Sequence, residues 1–186
     1  MKQIKFKFIS LYGSCFITFI TCLIIFLYSI IAVGQTQEPN SPVTDSLLTV
    51  AGEVERPLKL DRSNLAKFPH RTVQVKDHEG KEATYEGVPL VDILQLAGVK
   101  FGRELRGKQL ARYLLVQAAD GYQVVFALPE LDPSFTDRLV LLADRRDGQP
   151  LSAPEGPLHI IIPDEKRHAR WVRQVTTLRI LPAGRE

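Results

Sequence analysis

The densest chemistry in this sequence is the stretch Lys166-Arg167-His168-Ala169-Arg170-Trp171-Val172-Arg173. It holds permanent cations at 166, 167, 170 and 173, with a histidine and a tryptophan between them. Pro163 and Asp164 precede it, so it reads as a loop entering a helical turn. Arginine forks and free backbone N–H groups on such a loop suit a phosphate or a sulfate. Trp171 can stack on a planar ligand or on an arginine. The alternative is a solvated basic loop with Trp171 in the core and the charges balanced by Asp164 and Glu165. Asp120-Gly121-Tyr122 is a second candidate. Its Asp and Tyr would line a cleft at a strand end, or the three residues form a hairpin turn with an aromatic packed beside it.

Other chemistries lack their signatures. His70, His78, His159 and His168 do not stand at a metal-ligand spacing, so no metal site is read from them. Ser134 and Ser152 have no nucleophile-elbow context. Asp144-Arg145-Arg146-Asp147 reads as a solvated charged turn. Both cysteines, Cys15 and Cys22, lie in the N-terminal leader, so no disulfide holds the remainder, which is long enough to stand on its own core.

Residues 1–34 read as a signal peptide or an N-terminal membrane anchor. Lys2, Lys5 and Lys7 precede an apolar run from Phe8 to Val33, and Ala32-Val33-Gly34 offers small residues for cleavage. The run is also long enough to span a bilayer of roughly 30 Å. With the lysines before it, either version exports the rest of the chain, so a periplasmic or other extracytoplasmic location is expected. Three of the 24 basic side chains are in the leader, which leaves 21 against the 21 acidic ones. That balance argues against a nucleic-acid partner.

Residues 35–46 form a polar, proline-containing tether, residues 47–181 the folded domain, and residues 182–186 a tail. Strands are expected from Leu47, over Thr72–Lys76 and Ala83–Tyr85, and near Leu139–Ala143, Leu158–Ile162 and Val175–Leu181. Arg112–Ala118 and Tyr122–Leu128 flank an Asp-Gly turn and read as a hairpin. Asp61 or Ser63 caps a short helix running to Phe68. A second helix starts after Pro89, has apolar residues at 90, 93, 94 and 97, and ends before Gly98. Strands outnumber helices and join by tight turns, so the fold class is α+β with mixed or antiparallel sheets and few short helices.

The order of several pieces carries a resemblance. Gly87-Val88-Pro89-Leu90 stands before the amphipathic helix, and Asp120-Gly121-Tyr122 at a strand turn. Asp147-Gly148-Gln149-Pro150-Leu151 leads to Gly156-Pro157-Leu158-His159, then Ile162-Pro163 and Trp171-Val172-Arg173-Gln174-Val175. Together they resemble the molybdopterin-binding domain of the sulfite oxidase family, in its short exported single-domain form. The resemblance covers roughly residues 47–181.

The resemblance implies a sulfite-oxidase-like fold with a molybdenum–pterin cofactor in a cleft, used for oxo-transfer and other redox chemistry. It places the pterin phosphate near Lys166, Arg167 and Arg170, with Tyr122 and His159 in the cleft. It also implies a metal-bound cysteine around Val75–Gly80, where this chain has no cysteine; Asp77 and His78 are the residues nearest that place. The second expectation is therefore a non-catalytic module that kept the fold and lost the metal site. Such a module would serve a membrane or periplasmic protein partner, or hold a small anionic ligand.

Overall fold

Two five-stranded sheets share the work of burying one apolar core. The computed structural model describes residues 46–184, which lie in a unit that runs from Thr44 to Glu186. The leader, most of the tether and the last two residues lie outside the described residues. Among the described residues no helix is long and apolar enough to cross a membrane.

The first sheet has the order β2–β1–β10–β5–β6, built from β1 (Leu48–Gly52), β2 (Leu58–Leu60), β5 (Arg112–Ala118), β6 (Gln123–Ala127) and β10 (Val175–Pro182). β1 runs parallel to β10, and the other pairs are antiparallel. The second sheet contains β3 (Arg71–Lys76), β4 (Glu82–Pro89), β7 (Leu141–Arg146), β8 (Gln149–Pro150) and β9 (His159–Ile161). Its order is β3–β4–β7–β8, with β9 also on β7, and all its pairs are antiparallel. The fold is therefore α+β with mixed and antiparallel sheets, as the turn spacing implies.

Alternation sets the buried faces. Leu114 and Val116 of β5, Phe126 of β6, and Leu178 and Ile180 of β10 are fully buried, each separated from the next on its strand by an outward residue. β9 is buried along its whole length, as expected of a strand covered on both faces. Both Asp-Gly turns form. Gly121 takes a φ of 87°, and the Ala118 N–H bonds the Tyr122 carbonyl. Asp147 and Gly148 both have positive φ, 52° and 76°, the backbone a two-residue hairpin turn requires.

Two short helices complete the fold. α1 (Arg62–Leu65) is shorter than the spacing predicts, but Asp61 caps it: its Oδ1 accepts from the Asn64 N–H at 2.8 Å, and Asn64 Oδ1 accepts from the Asp61 N–H at 3.1 Å. α2 (Leu90–Leu96) follows Pro89 and buries Leu90, Ile93 and Leu94, and Gly98 follows its end with a φ of 87°. β2 and β8 are strands the sequence reading omits.

Gly87 explains part of the Gly-Val-Pro-Leu motif. The β4–β7 pairing shifts register between Glu86 and Gly87, and a Cβ on Gly87 would meet the Leu142 carbonyl oxygen and lie 2.5 Å from the Ala143 Cα. Both are backbone atoms of the neighbouring strand and cannot swing aside. Gly87→Ala is therefore expected to destabilise the domain by about 1–3 kcal/mol, read as a lower midpoint in urea unfolding with an unchanged slope.

Candidate functional site

The β3–β4 turn is where the resemblance expects a metal-bound thiolate, and Asp77 and His78 both lie in it. Asp77 is 5% exposed. Its Oδ1 accepts from the N–H groups of Glu79 and Lys81 at 2.9 and 3.0 Å, which ties the turn to its own carboxylate. Its Oδ2 accepts from Arg146 Nη2 at 2.7 Å. Arg146, on β7, donates through Nη1 to Glu155 Oε1 at 2.9 Å, and its guanidinium carbon lies 5.5 Å from the centre of the Tyr85 ring. The Tyr85 hydroxyl donates to the same Glu155 oxygen at 3.5 Å.

These contacts set the charges. Burial alone would raise the Asp77 carboxyl, but the Lys81 N–H and the Arg146 guanidinium outweigh it and hold it below the usual carboxylate range. Burial, and after it the charge of Glu155, pushes the Tyr85 hydroxyl up to about 12. The 144–147 stretch is not the solvated turn the sequence suggests: Asp144, Arg145 and Arg146 continue β7, with Asp144 and Arg146 half-buried, and the turn begins at Asp147. His78 is exposed beside Glu79.

Behind this network lies an aromatic cluster. His159 is 3% exposed, and its ring meets Tyr85 and Trp171 edge-on, with centroids 5.8 and 6.3 Å away. Neither ring nitrogen has a hydrogen-bond partner among the described residues. Burial, then the positive charge of Arg173, pushes its pKa down to about 4, so the ring is neutral. Trp171 is buried, donates from Nε1 to the Ile162 carbonyl at 3.1 Å, and carries His168 stacked on its ring at 3.9 Å. Trp171 is a core residue, as one of the two sequence readings has it.

The basic stretch divides into two sets of cations. Arg170 is committed to the fold: it pairs with Glu165 and, at 3.1 Å, with Glu130, and it covers the Phe126 ring at 4.7 Å. Those carboxylates, Glu165 first, hold its pKa above the ordinary value. Asp164 and Glu165 are also engaged by Arg138, at 3.0 and 3.4 Å. Lys166, Arg167 and Arg173 are exposed and make no ion pair among the described residues. Tyr122 is 49% exposed and donates to the Ala169 carbonyl at 2.8 Å, which fastens the β5–β6 hairpin to this loop.

The structure thus brings Tyr122 to the Lys166–Arg170 loop and places His159 in the core near Trp171. A cavity of about 570 Å³ borders Arg138, Leu139, Pro163 and Asp164, but none of the five predicted binding residues lines it. Among the described residues no three His, Cys, Asp or Glu side chains gather to hold a metal. A thiolate-held metal centre does not fit these residues. Asp77 spends one oxygen on the turn and the other on Arg146, and the described residues include no cysteine. The partners Arg146 and Glu155 were missed in the sequence because they converge across 69 and 9 positions.

Neutral His159 gives a measurable pH signature. The unfolded chain takes up a proton near the ordinary value of 6.5, and the folded chain only near 4. Stability is therefore fully present above that upper value and is lost as pH falls through this window, by on the order of 3 kcal/mol. His159→Leu is expected to flatten urea-derived stability between those two pH values; an unchanged slope would reject the assignment.

Comparisons with known proteins agree with the fold. The family model described as "Oxidoreductase molybdopterin binding domain" matches residues 36–184. A search of curated proteins finds no match. Among solved structures, the sulfane dehydrogenase SoxCD from Paracoccus pantotrophus is similar, with a TM-score of 0.57 and 23% identity. That similarity covers 72% of this chain and 37% of the other, so the chain spans well under half of the SoxCD chain, and the likeness is one of fold. With that family match spanning the whole described region, this chain belongs to the oxidoreductase molybdopterin binding domain family.

Proposed function

We propose that this domain is an exported anion-binding module of its family, which takes a phosphate- or sulfate-bearing ligand on the loop from Lys166 to Arg173. The observation that carries the reading is the charge state of that loop. Its own acids, Asp164 and Glu165, are engaged by Arg138 and Arg170, which leaves Lys166, Arg167 and Arg173 uncompensated at the surface. Exposed cations without internal partners favour an external anion through charge-assisted hydrogen bonds, each worth about 0.2–1 kcal/mol where solvent screens it. The leader, read as a signal or an anchor, supports an extracytoplasmic place of work, near the membrane if it is retained.

The family itself favours a second reading, in which the anion is the phosphate of a molybdopterin-type cofactor. Lys166 and Arg167 would then hold the phosphate, with Tyr122 beside them at Ala169. The described residues do not fit a thiolate-held metal, so this second reading is one of cofactor binding alone.

Full-length protein from a host able to supply the cofactor separates the two readings. Under the first, it carries no stoichiometric molybdenum or pterin, and millimolar pyrophosphate raises its melting temperature. Lys166→Gln with Arg167→Gln weakens pyrophosphate binding at least about tenfold while leaving unliganded stability within about 0.5 kcal/mol. One molybdenum per chain would reject the first reading in favour of the second. Undiminished pyrophosphate binding in the double variant would remove this loop as the site.

A further inference from the structure

The place where the resemblance puts a metal ligand holds a charge of its own. We propose that Arg146 is a resident cation in place of a metal, a guanidinium built into β7 that gathers the surrounding carboxylates and closes this place to a metal ion.

Three carboxylates surround the one guanidinium. Asp77 Oδ2 lies 2.7 Å from Nη2, Glu155 Oε1 2.9 Å from Nη1, and Asp147 Oδ2 3.5 Å from Nε. The acids come from separate segments: the β3–β4 turn, the chain between β8 and β9, and the turn after β7. The Asp77 and Glu155 side chains are 4% and 12% exposed, so neither can turn to water without moving backbone. Asp77 and Glu155, the two buried acids, need a positive partner, because a buried carboxylate left without one is costly. Here the guanidinium supplies the positive charge, and its planar fork fixes two carboxylates at once, which an ammonium does not do. Tyr85 floors the site and shares Glu155 with Arg146.

Recovery on neutralising the carboxylates is common to any buried ion pair, so the response to a divalent ion is what sets this arrangement apart. If Arg146 serves as a counter-cation, its loss is harmful mainly because carboxylates are left facing each other, so neutralising them restores stability. Asn at 77 keeps an oxygen for the turn N–H groups, and Gln at 155 keeps one for Tyr85. The experiment is thermal unfolding of the full chain as wild type, Arg146→Met, Asp77→Asn with Glu155→Gln, and the triple variant, each with and without millimolar calcium chloride. Arg146→Met is expected to melt lower by roughly 10 °C, and the triple variant to recover at least half of that. Calcium is expected to raise the melting temperature of Arg146→Met and not that of wild type. Additive losses in the triple variant, or an equal calcium response in wild type and Arg146→Met, would overturn the proposal. Should Arg146→Met not fold, Arg146→Lys and Arg146→Gln are compared. Lys, which keeps the charge, should melt well above neutral Gln, and equal melting temperatures would overturn it.

Discussion

The Arg146 guanidinium ties the β3–β4 turn to β7 and to the chain before β9, through Asp77 on one side and Glu155 on the other. Its position is half-buried, where the attraction between opposite charges is less screened than at the surface and where an unpaired carboxylate is costly. Burial works against the charge, but the Asp77 carboxylate, then Tyr85 and Glu155, more than offset it, so its pKa moves up from the ordinary value. The other constraints of the region depend on it. Tyr85 is held between Arg146 and Glu155, and its ring supplies the edge against which His159 and Trp171 pack. Trp171 in turn anchors the stretch after Pro163 by its bond to Ile162. The outward loop therefore rests on a cluster whose charged end is Arg146.

This packing also decides the state of His159. Both neighbouring arginines that act on it, Arg173 and Arg146, oppose a second positive charge, and burial opposes it more strongly than either. Among the described residues neither ring nitrogen has a partner, and a buried polar atom so placed costs on the order of 1–3 kcal/mol. The edge-on contacts with Tyr85 and Trp171 offset part of that cost, at about 0.5–1.5 kcal/mol for each favourable ring pair. The resemblance places His159 in a cleft; in the folded chain its surroundings are those of a core residue.

The parts of the fold legible in the sequence are those whose signals are local. Asp120-Gly121 and Asp147-Gly148 specify turns by backbone conformation alone, and Asp61 caps α1 through a residue three positions away. Pro89 and Gly98 frame α2 for the same reason. β2 and β8 were not legible, because segments of three and two residues carry no periodicity and exist only through their partners β1 and β7. The charged site was hidden in a different way. Arg146 reads as one of several charges in a turn, and nothing local distinguishes it from Arg145, which is exposed. Only the register of β7 against β4, which sets Tyr85 opposite Arg146, reveals which of the two arginines is internal. The long reach to Asp77 and the turn holding Glu155 are products of topology rather than of spacing.

The same distinction governs the basic loop. Its four cations look equivalent in sequence, yet they are not equivalent as binding groups. A cation can hold a ligand only with charge and donors not already spent on the protein. Arg170 has spent both: its guanidinium faces Glu165 and Glu130 and its plane covers Phe126. It is therefore a support for the loop, keeping it against β6 while Tyr122 fastens the hairpin side through Ala169. Lys166 and Arg167 stand on that support with their donors unused among the described residues. Their neighbours Asp164 and Glu165 would ordinarily cancel them, but Arg138 and Arg170 draw those carboxylates away. With two acids against four cations, the stretch presents its surplus charge outward, because Asp164 and Glu165 are engaged by Arg138 and Arg170 rather than by Lys166 and Arg167.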